Sequence, residues 1–304
     1  MLKASMWRIV LAMATVMIAG CAPGASPGAR PTVRIGSTNF PEQVILGELY
    51  GQVLEASGYT VERRFNLGSR EIVAPALESG QIDMYAEYMA TYLTFLKKDE
   101  GMSASTDPAA TYRTLQETLR GKNLTVLDYA PAVDTNGFVV TKETSDRQNL
   151  KKVSDLARLN NQLTLGGPPE CPDRPFCLKG LEGTYGVRVK EFKALDAGGP
   201  LTVAALEGKQ VDVAVLFTTD AAIQAKNFVL LDDDKRLQLA DNVAPVVRNE
   251  LLNRALADFG PAINGVTTRV TTEELTGLNR QVGLDRKEPR DVARDWLRAK
   301  GLVR

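Results

Sequence analysis

The amino-acid sequence predicts an α/β protein of two lobes with a ligand cleft between them. Three observations carry this: the halves repeat each other, short β-rich runs alternate with helical patterns, and a small-residue loop follows the first strand of each half. Ala76-Leu-Glu-Ser-Gly-Gln-Ile-Asp-Met84 matches Ala205-Leu-Glu-Gly-Lys-Gln-Val-Asp-Val213 at an offset of 129, and Val33-Arg-Ile-Gly36 matches Leu163-Thr-Leu-Gly166 at 130. Both pairs keep the same order and nearly the same spacing. A period of this length signals two related lobes rather than a solenoid of short repeats.

In chain order, Thr32–Gly36 is the first strand. Pro41–Ser57 is helical by the spacing of Val44, Ile45, Leu49 and Val53, with Asn39 as its expected N-cap and Pro41 close behind. Thr60–Phe65 is a second strand, Glu71–Ser79 a helix ending at Gly80, and Gln81–Tyr85 a third strand. Such alternation implies parallel βαβ units. In these sheets ligands sit beyond the carboxyl ends of strands, beside helix N-termini. Gly36-Ser37-Thr38-Asn39 and Gly166-Gly167-Pro168-Pro169 occupy that place in the two halves. Tyr85, Tyr88 and Tyr92, at i, i+3 and i+7, fit a buried helical stripe.

Composition excludes several classes. The 304 residues contain no histidine, which removes Ser-His-Asp and Cys-His nucleophilic machinery, His-ligated zinc and imidazole acid–base chemistry. Lys plus Arg and Asp plus Glu are each 37, so no basic excess points to nucleic acid. No G-x-x-x-x-G-K-[ST] loop occurs, so any nucleotide chemistry belongs to a partner. No cofactor or metal is expected.

Residues 1–20 read as an export signal. Lys3 and Arg8 precede an apolar and small-residue run from Ile9 to Ile18, too short to span a bilayer. The run ends Ile18-Ala19-Gly20-Cys21, which resembles the lipobox of bacterial lipoproteins, so Cys21 is expected to be lipidated and to become the new N-terminus. Residues 21–31 read as a tether rich in Gly, Ala and Pro. Removing residues 1–20 leaves 35 basic against 37 acidic residues, a net charge of −2. An extracytoplasmic, lipid-anchored protein lies in an oxidising compartment, which favours a disulfide between Cys171 and Cys177.

Five blocks then resemble the substrate-binding proteins of osmoprotectant ABC importers, which bind glycine betaine, choline, carnitine or proline betaine. They are Gly36-Ser-Thr-Asn-Phe-Pro-Glu-Gln-Val-Ile-Leu-Gly-Glu48; Ile82-Asp-Met-Tyr-Ala-Glu-Tyr-Met-Ala-Thr91; Gly166-Gly-Pro-Pro-Glu170 with Arg174-Pro175; Phe217-Thr-Thr-Asp220; and Asn242-Val-Ala-Pro-Val-Val247. The resemblance implies a type II periplasmic-binding-protein fold with chain crossovers near Val133–Asn136 and Asp241–Pro245. Lobe 1 is then residues 32–135 plus 243–304, and lobe 2 residues 136–242.

By the same resemblance Tyr88 stands on an aromatic-cage position that would face a methylated cation. Thr91 stands on a carboxylate-contacting position, one turn on if the stretch is helical. Arg174 matches an arginine that grips a ligand carboxylate with its bidentate fork, and it lies between Cys171 and Cys177. Thr38 stands where several members carry lysine, Asn136 and Asp241 where cage tyrosines are usual, and Phe217 keeps a ring without the hydroxyl. With two of four cage positions aromatic, weak glycine betaine binding is expected, with an N–H-bearing or larger cation fitting better. The function implied is capture of a small zwitterion or cation by a monomeric, lipid-anchored receptor and delivery to a permease with a separate ATPase subunit. A binding protein for another amine or amino-acid derivative, a ligand sensor for a membrane receptor, and an enzyme using carboxylates such as Glu87 or Asp241 are the alternatives weighed against it.

Overall fold

The computed structural model describes residues 30–97 and 104–304; the export signal, Cys21 and nearly all of the tether lie outside them. The strands are β1 (Val33–Gly36), β2 (Val61–Arg64), β3 (Met84–Tyr88), β4 (Leu124–Val126), β5 (Asn136–Thr141), β6 (Thr164–Gly167), β7 (Glu191–Ala194), β8 (Val213–Phe217), β9 (Phe228–Leu230) and β10 (Val243–Arg248). They form two five-stranded sheets, ordered β2-β1-β3-β10-β4 and β7-β6-β8-β5-β9. The two orders are the same pattern, so the sequence repeat appears as a repeat of sheet topology. The chain passes from the first sheet to the second between β4 and β5 and returns between β9 and β10. Val133 and Asn242, on these two crossings, form a β-bridge.

The sheets are mixed rather than wholly parallel. β1 pairs in parallel with β2 and β3, and β6 with β7 and β8, as the βαβ pattern requires. β10 and β5 run antiparallel to both of their neighbours. Each of these strands arrives directly from a crossing and needs no crossover helix.

Each sheet is buried on both faces. In β8, Val213 and Val215 belong to one apolar cluster and Ala214 and Leu216 to another, following the two-residue period of a strand. The first sheet carries helix α1 (Pro41–Ala56) and the C-terminal helices Phe259–Thr267, Thr272–Gly283 and Pro289–Ala299 against one face, and α2 (Arg70–Glu78) with α3 (Met89–Leu96) against the other.

Two expected boundaries differ. The residue capping α1 is Phe40, with no side-chain cap; Asn39 instead donates its N–H to the Gly68 carbonyl at 3.1 Å. The third strand is Met84–Tyr88, three residues later than expected. Gln81 and Ile82 close the turn by donating N–H groups to the Ala76 carbonyl, and Asp83 accepts from the N–H and guanidinium of Arg34 on β1. Tyr85 and Tyr88 therefore share a strand, not a helix, and three residues apart on a strand they face opposite ways. Tyr85 packs edge-on against Tyr92 of α3 in one cluster, and Tyr88 enters the other.

The repeated motif is a return turn with an aspartate latch. Asp212 accepts the Thr164 N–H of β6 at 2.8 Å, as Asp83 accepts that of Arg34 at 2.9 Å. The turn needs a left-handed residue, supplied by Gly80 (φ +77°) in the first half and by Lys209 (φ +55°) in the second. A side chain in that region costs about 1–2 kcal/mol, offset in part by glycine's greater freedom in the unfolded chain. Lys209→Gly should therefore raise unfolding free energy by up to about 1 kcal/mol, whereas Gly80→Ala should lower it by about 1–2 kcal/mol. Urea denaturation of both variants checks the pair.

Candidate functional site

The repeat places two aromatic residues at equivalent strand ends. Tyr88 ends β3, Phe217 ends β8, and both line a cavity of about 560 Å³ between the sheets, within the usual range for a small-molecule site. Phe40, from the loop after β1, bridges them: its ring centroid lies 6.2 Å from that of Tyr88 and 4.7 Å from that of Phe217. Gly198 has φ +62°, and a Cβ there would fall 2.7 Å from the Phe217 ring, so glycine both makes the turn and seats the ring.

Behind Tyr88 lies a buried charged network. Arg70 of α2 donates Nε and Nη2 to the two carboxylate oxygens of Glu87, each at 2.8 Å, and Nη2 also to Thr91 Oγ1 at 2.8 Å. The Tyr85 hydroxyl and the Tyr88 N–H donate to the same carboxylate. The fully satisfied pair suits a charge that is otherwise costly to bury. Thr91 in turn donates its N–H, at 2.9 Å, to Asp241, which thereby caps α3 from another part of the chain. Burial pushes the Asp241 carboxyl up to about 7, although the Thr91 hydrogen bond and the Arg70 charge oppose it.

The equivalent position on the other crossing is Asp134. Its Oδ1 accepts from the Thr219 N–H and the Thr218 hydroxyl, each at 3.1 Å, just beyond β8. Burial and then the charge of nearby Glu42 raise its carboxyl well above the usual range. Glu42 is raised by burial too, against hydrogen bonds from Thr219, Tyr88 and Asn279. It accepts from the Tyr88 hydroxyl on one oxygen and from the Thr219 hydroxyl on the other, each at 2.6 Å, and so ties the two sheets together.

The second sheet contributes the loop after β6. Cys171 and Cys177 are joined in a disulfide with a Cα–Cα distance of 5.2 Å. Arg174 lies within that loop and reaches across the cavity mouth to Glu71 of α2, at 2.9 Å, with Glu170 at 3.4 Å. Burial of Glu71 works to raise its carboxyl, but the Ser69 hydroxyl and the Arg174 charge outweigh it and hold it at about 2. Asn136 donates to the Phe176 carbonyl at 3.1 Å.

All seven expected residues, Thr38, Tyr88, Thr91, Asn136, Arg174, Phe217 and Asp241, line this one cavity. Thr91 and Asp241 are engaged with each other, and Arg174 with two carboxylates. Sequence reasoning missed Phe40, Gln43, Arg70 and Asp134 of the lining, and Glu42 beside it. Phe40, Glu42 and Gln43 sat inside a block that carried the family resemblance; Asp134 lay within the expected crossing, but nothing in the sequence marked it as part of the lining. Thr38 Oγ1, Thr94 Oγ1 and both polar atoms of the Gln43 amide are buried in the lining without a hydrogen bond of normal geometry.

A molecule held here would be enclosed from both sides, which defines a two-lobed solute-binding protein. Over residues 31–299 the sequence matches the OpuAC family, described as the substrate binding domain of ABC-type glycine betaine transport systems. It is 30% identical to the glycine-betaine-binding protein of Pseudomonas aeruginosa, over 90% of this chain and 89% of that protein. It is 27% identical to the carnitine transport binding protein OpuCC of Listeria monocytogenes, over 96% of this chain and 95% of that one. A solved glycine betaine/carnitine/choline ABC transporter structure, 28% identical, superposes with a TM-score of 0.70, covering 89% of this chain and 99% of that chain. The chain belongs to the OpuAC family: it is a substrate-binding protein of the ABC importer class, not an enzyme. Proteins of this class work outside the cytoplasm, binding a small molecule for delivery to a permease. No helix among the described residues is long and apolar enough to cross a membrane.

The Arg70–Glu87 pair is testable apart from any ligand. Arg70→Met should cost about 3–5 kcal/mol by leaving Glu87 buried and unpaired, and adding Glu87→Leu should recover much of that loss. Equilibrium unfolding of the single and double variants measures both.

Proposed function

We propose that this protein captures a small osmolyte-like ligand with a cationic head, of the glycine betaine class, and delivers it to an ABC permease powered by a separate ATPase subunit. In this reading residues 32–135 with 243–304 and residues 136–242 are the lobes that close on the ligand, the protein acts as a monomer, and a lipid on Cys21 holds it to the membrane. The relatives' printed ligands, glycine betaine and carnitine, support the class. The observation that carries the reading is the cavity's combination of rings and charge. Phe40, Tyr88 and Phe217 offer π faces to a methylated or primary ammonium group. Of six acids in the lining, Glu71 and Glu170 pair with Arg174, Glu87 with Arg70 and Asp173 with Lys179, which leaves Asp134 and Asp241, both raised by burial, without an ion pair among the described residues.

That balance supports preference for a cation over a zwitterion. Arg174, the residue matched to a carboxylate grip, is already engaged by Glu71 and Glu170, so a ligand carboxylate has to compete for it. The Thr38 and Thr94 hydroxyls, buried without a hydrogen bond of normal geometry, suit a neutral polar tail. With Asn136 and Asp241 in place of rings, glycine betaine should bind more weakly than micromolar, and choline should bind more tightly. Titration calorimetry of the purified protein with both compounds tests this; tight glycine betaine binding would overturn the cation preference. Arg174→Ala should weaken a carboxylate-bearing ligand by about 1.5–3 kcal/mol and leave choline affected far less.

The Asp241 carboxyl makes the binding pH-dependent. Held up to about 7 by burial, it ionises as the pH rises through that value. Affinity for a cation should therefore rise across neutrality, and Asp241→Asn should flatten that slope in calorimetry at a series of pH values. The sign for folding is the reverse. Its folded value exceeds the unfolded one, so the native state holds a proton that the unfolded chain releases. Its contribution to stability is complete below about 4 and lost by about 7.

A further inference from the structure

The C-terminal segment carries a charge imbalance that the ligand cleft does not explain. From Arg286 to Arg304 there are seven basic residues against three acidic ones, in a chain whose totals are equal. Arg290, Arg294 and Arg298 lie four residues apart on the helix Pro289–Ala299 and so share one face. With Arg304 they line a second concavity of about 380 Å³, whose other wall is Gln52 and Glu55 of α1. The carboxylates in its lining are already committed: Glu55 accepts from Arg63 at 2.6 Å and Asp291 pairs with Arg294 at 2.7 Å. Arg294 is thus neutralised and the Arg290 charge is felt by Glu55, but among the described residues Arg290, Arg298 and Arg304 form no ion pair, and four arginines face two carboxylates in this lining.

The N-terminal end of the described chain comes out beside it. Arg30 stacks over the Tyr59 ring at 4.9 Å, and its Nε lies 3.2 Å from where a Cβ on Gly58 would be. Gly58 donates its N–H to the Glu55 carbonyl, so Arg30 sits one helical turn from a wall of the basic concavity. Eight residues separate Arg30 from Cys21, and the nine steps between them reach at most about 30 Å when extended. An anchor at Cys21 would keep this end of the first lobe, and no other, close to the bilayer.

We propose that the arginine face of helix Pro289–Ala299, with Arg304, docks on anionic lipid headgroups and orients the protein on the membrane that holds it. The face supplies planar, always-charged groups suited to phosphate oxygens, and a negatively charged leaflet attracts basic residues held at its surface. The proposal rests on the anchor reading only for where the chain leaves the fold.

The test separates the two. The full chain is floated with neutral phosphatidylcholine vesicles and with vesicles that also contain phosphatidylglycerol, and hydrogen exchange is read over residues 289–304. Flotation with neutral vesicles reports the anchor; slower exchange on the anionic vesicles alone reports the face. Arg290→Gln with Arg298→Gln should abolish that protection and weaken the anionic-lipid component of binding roughly 30-fold, which corresponds to about 1 kcal/mol per basic residue near such a surface. Flotation on anionic vesicles only, lost in the double variant, would retain the face and remove the anchor. Equal exchange on both vesicle types, or protection unchanged in the double variant, would overturn the proposal.

Discussion

Two buried aspartates, one on each crossing between the sheets, hold the geometry on which the cleft depends. Asp241, just before β10, caps the helix that follows β3; Asp134, just before β5, receives the backbone that follows β8. In each sheet the strand arriving from a crossing pairs with the strand whose last residue carries a cavity ring: Val243 faces Tyr88 and Asn136 faces Phe217. The crossings are themselves bonded, Asp134 donating its N–H to the Asp241 carbonyl at 3.2 Å. Ring positions, helix start and the two crossings are thus one connected structure.

The polar groups around these crossings do more for definition than for net stability. A buried ion pair such as Arg70–Glu87 returns little of its desolvation cost when compared with well-packed apolar groups. It does require one arrangement, because its oxygens also receive the Tyr85 hydroxyl and the Tyr88 N–H. Glu42 extends the same logic between the sheets by joining Tyr88 of the first to Thr219 beyond the second. Two acids raised by burial, Glu42 and Asp134, lie near each other, and neutralising either one relieves their mutual repulsion.

The repeat, and with it the two-lobed α/β plan, was legible because each half repeats a short run in which nearly every residue has a backbone task. Asp83 and Asp212 each latch a turn to the preceding strand, and Gly80 and Lys209 each take its left-handed position. The antiparallel strands β5 and β10 were not legible as such, since direction follows from how the chain crosses, not from local pattern. The start of β3 was misplaced because Gln81-Ile82-Asp83 alternates polar and apolar as a strand does, yet the N–H groups of Gln81 and Ile82 close a turn onto Ala76. Seven candidate residues came from resemblance and all line the cavity, but the engagements of Thr91 with Arg70, Arg174 with Glu71 and Tyr88 with Glu42 join residues far apart in sequence, which no local spacing reveals.

Selectivity in the proposed reading follows from which charges the protein satisfies for itself. Arg70 is enclosed by Glu87, Thr91 and the wider field of Asp241, so it offers little to a ligand. Arg174 is different: its partner Glu71 lies on α2 against the first sheet, so their ion pair spans the cavity mouth. A carboxylate fixed to the protein competes with a free one at an effective concentration in the millimolar range, as linked groups do. A ligand carboxylate must therefore outmatch Glu71 or share the guanidinium with it, and sharing places two negative charges together beside Glu170. A cationic head meets the rings and two acids, Asp134 and Asp241, that form no ion pair among the described residues, while Lys179 of the lining is held by Asp173. The same ion pair across the mouth thus weights the cleft toward positive ligands.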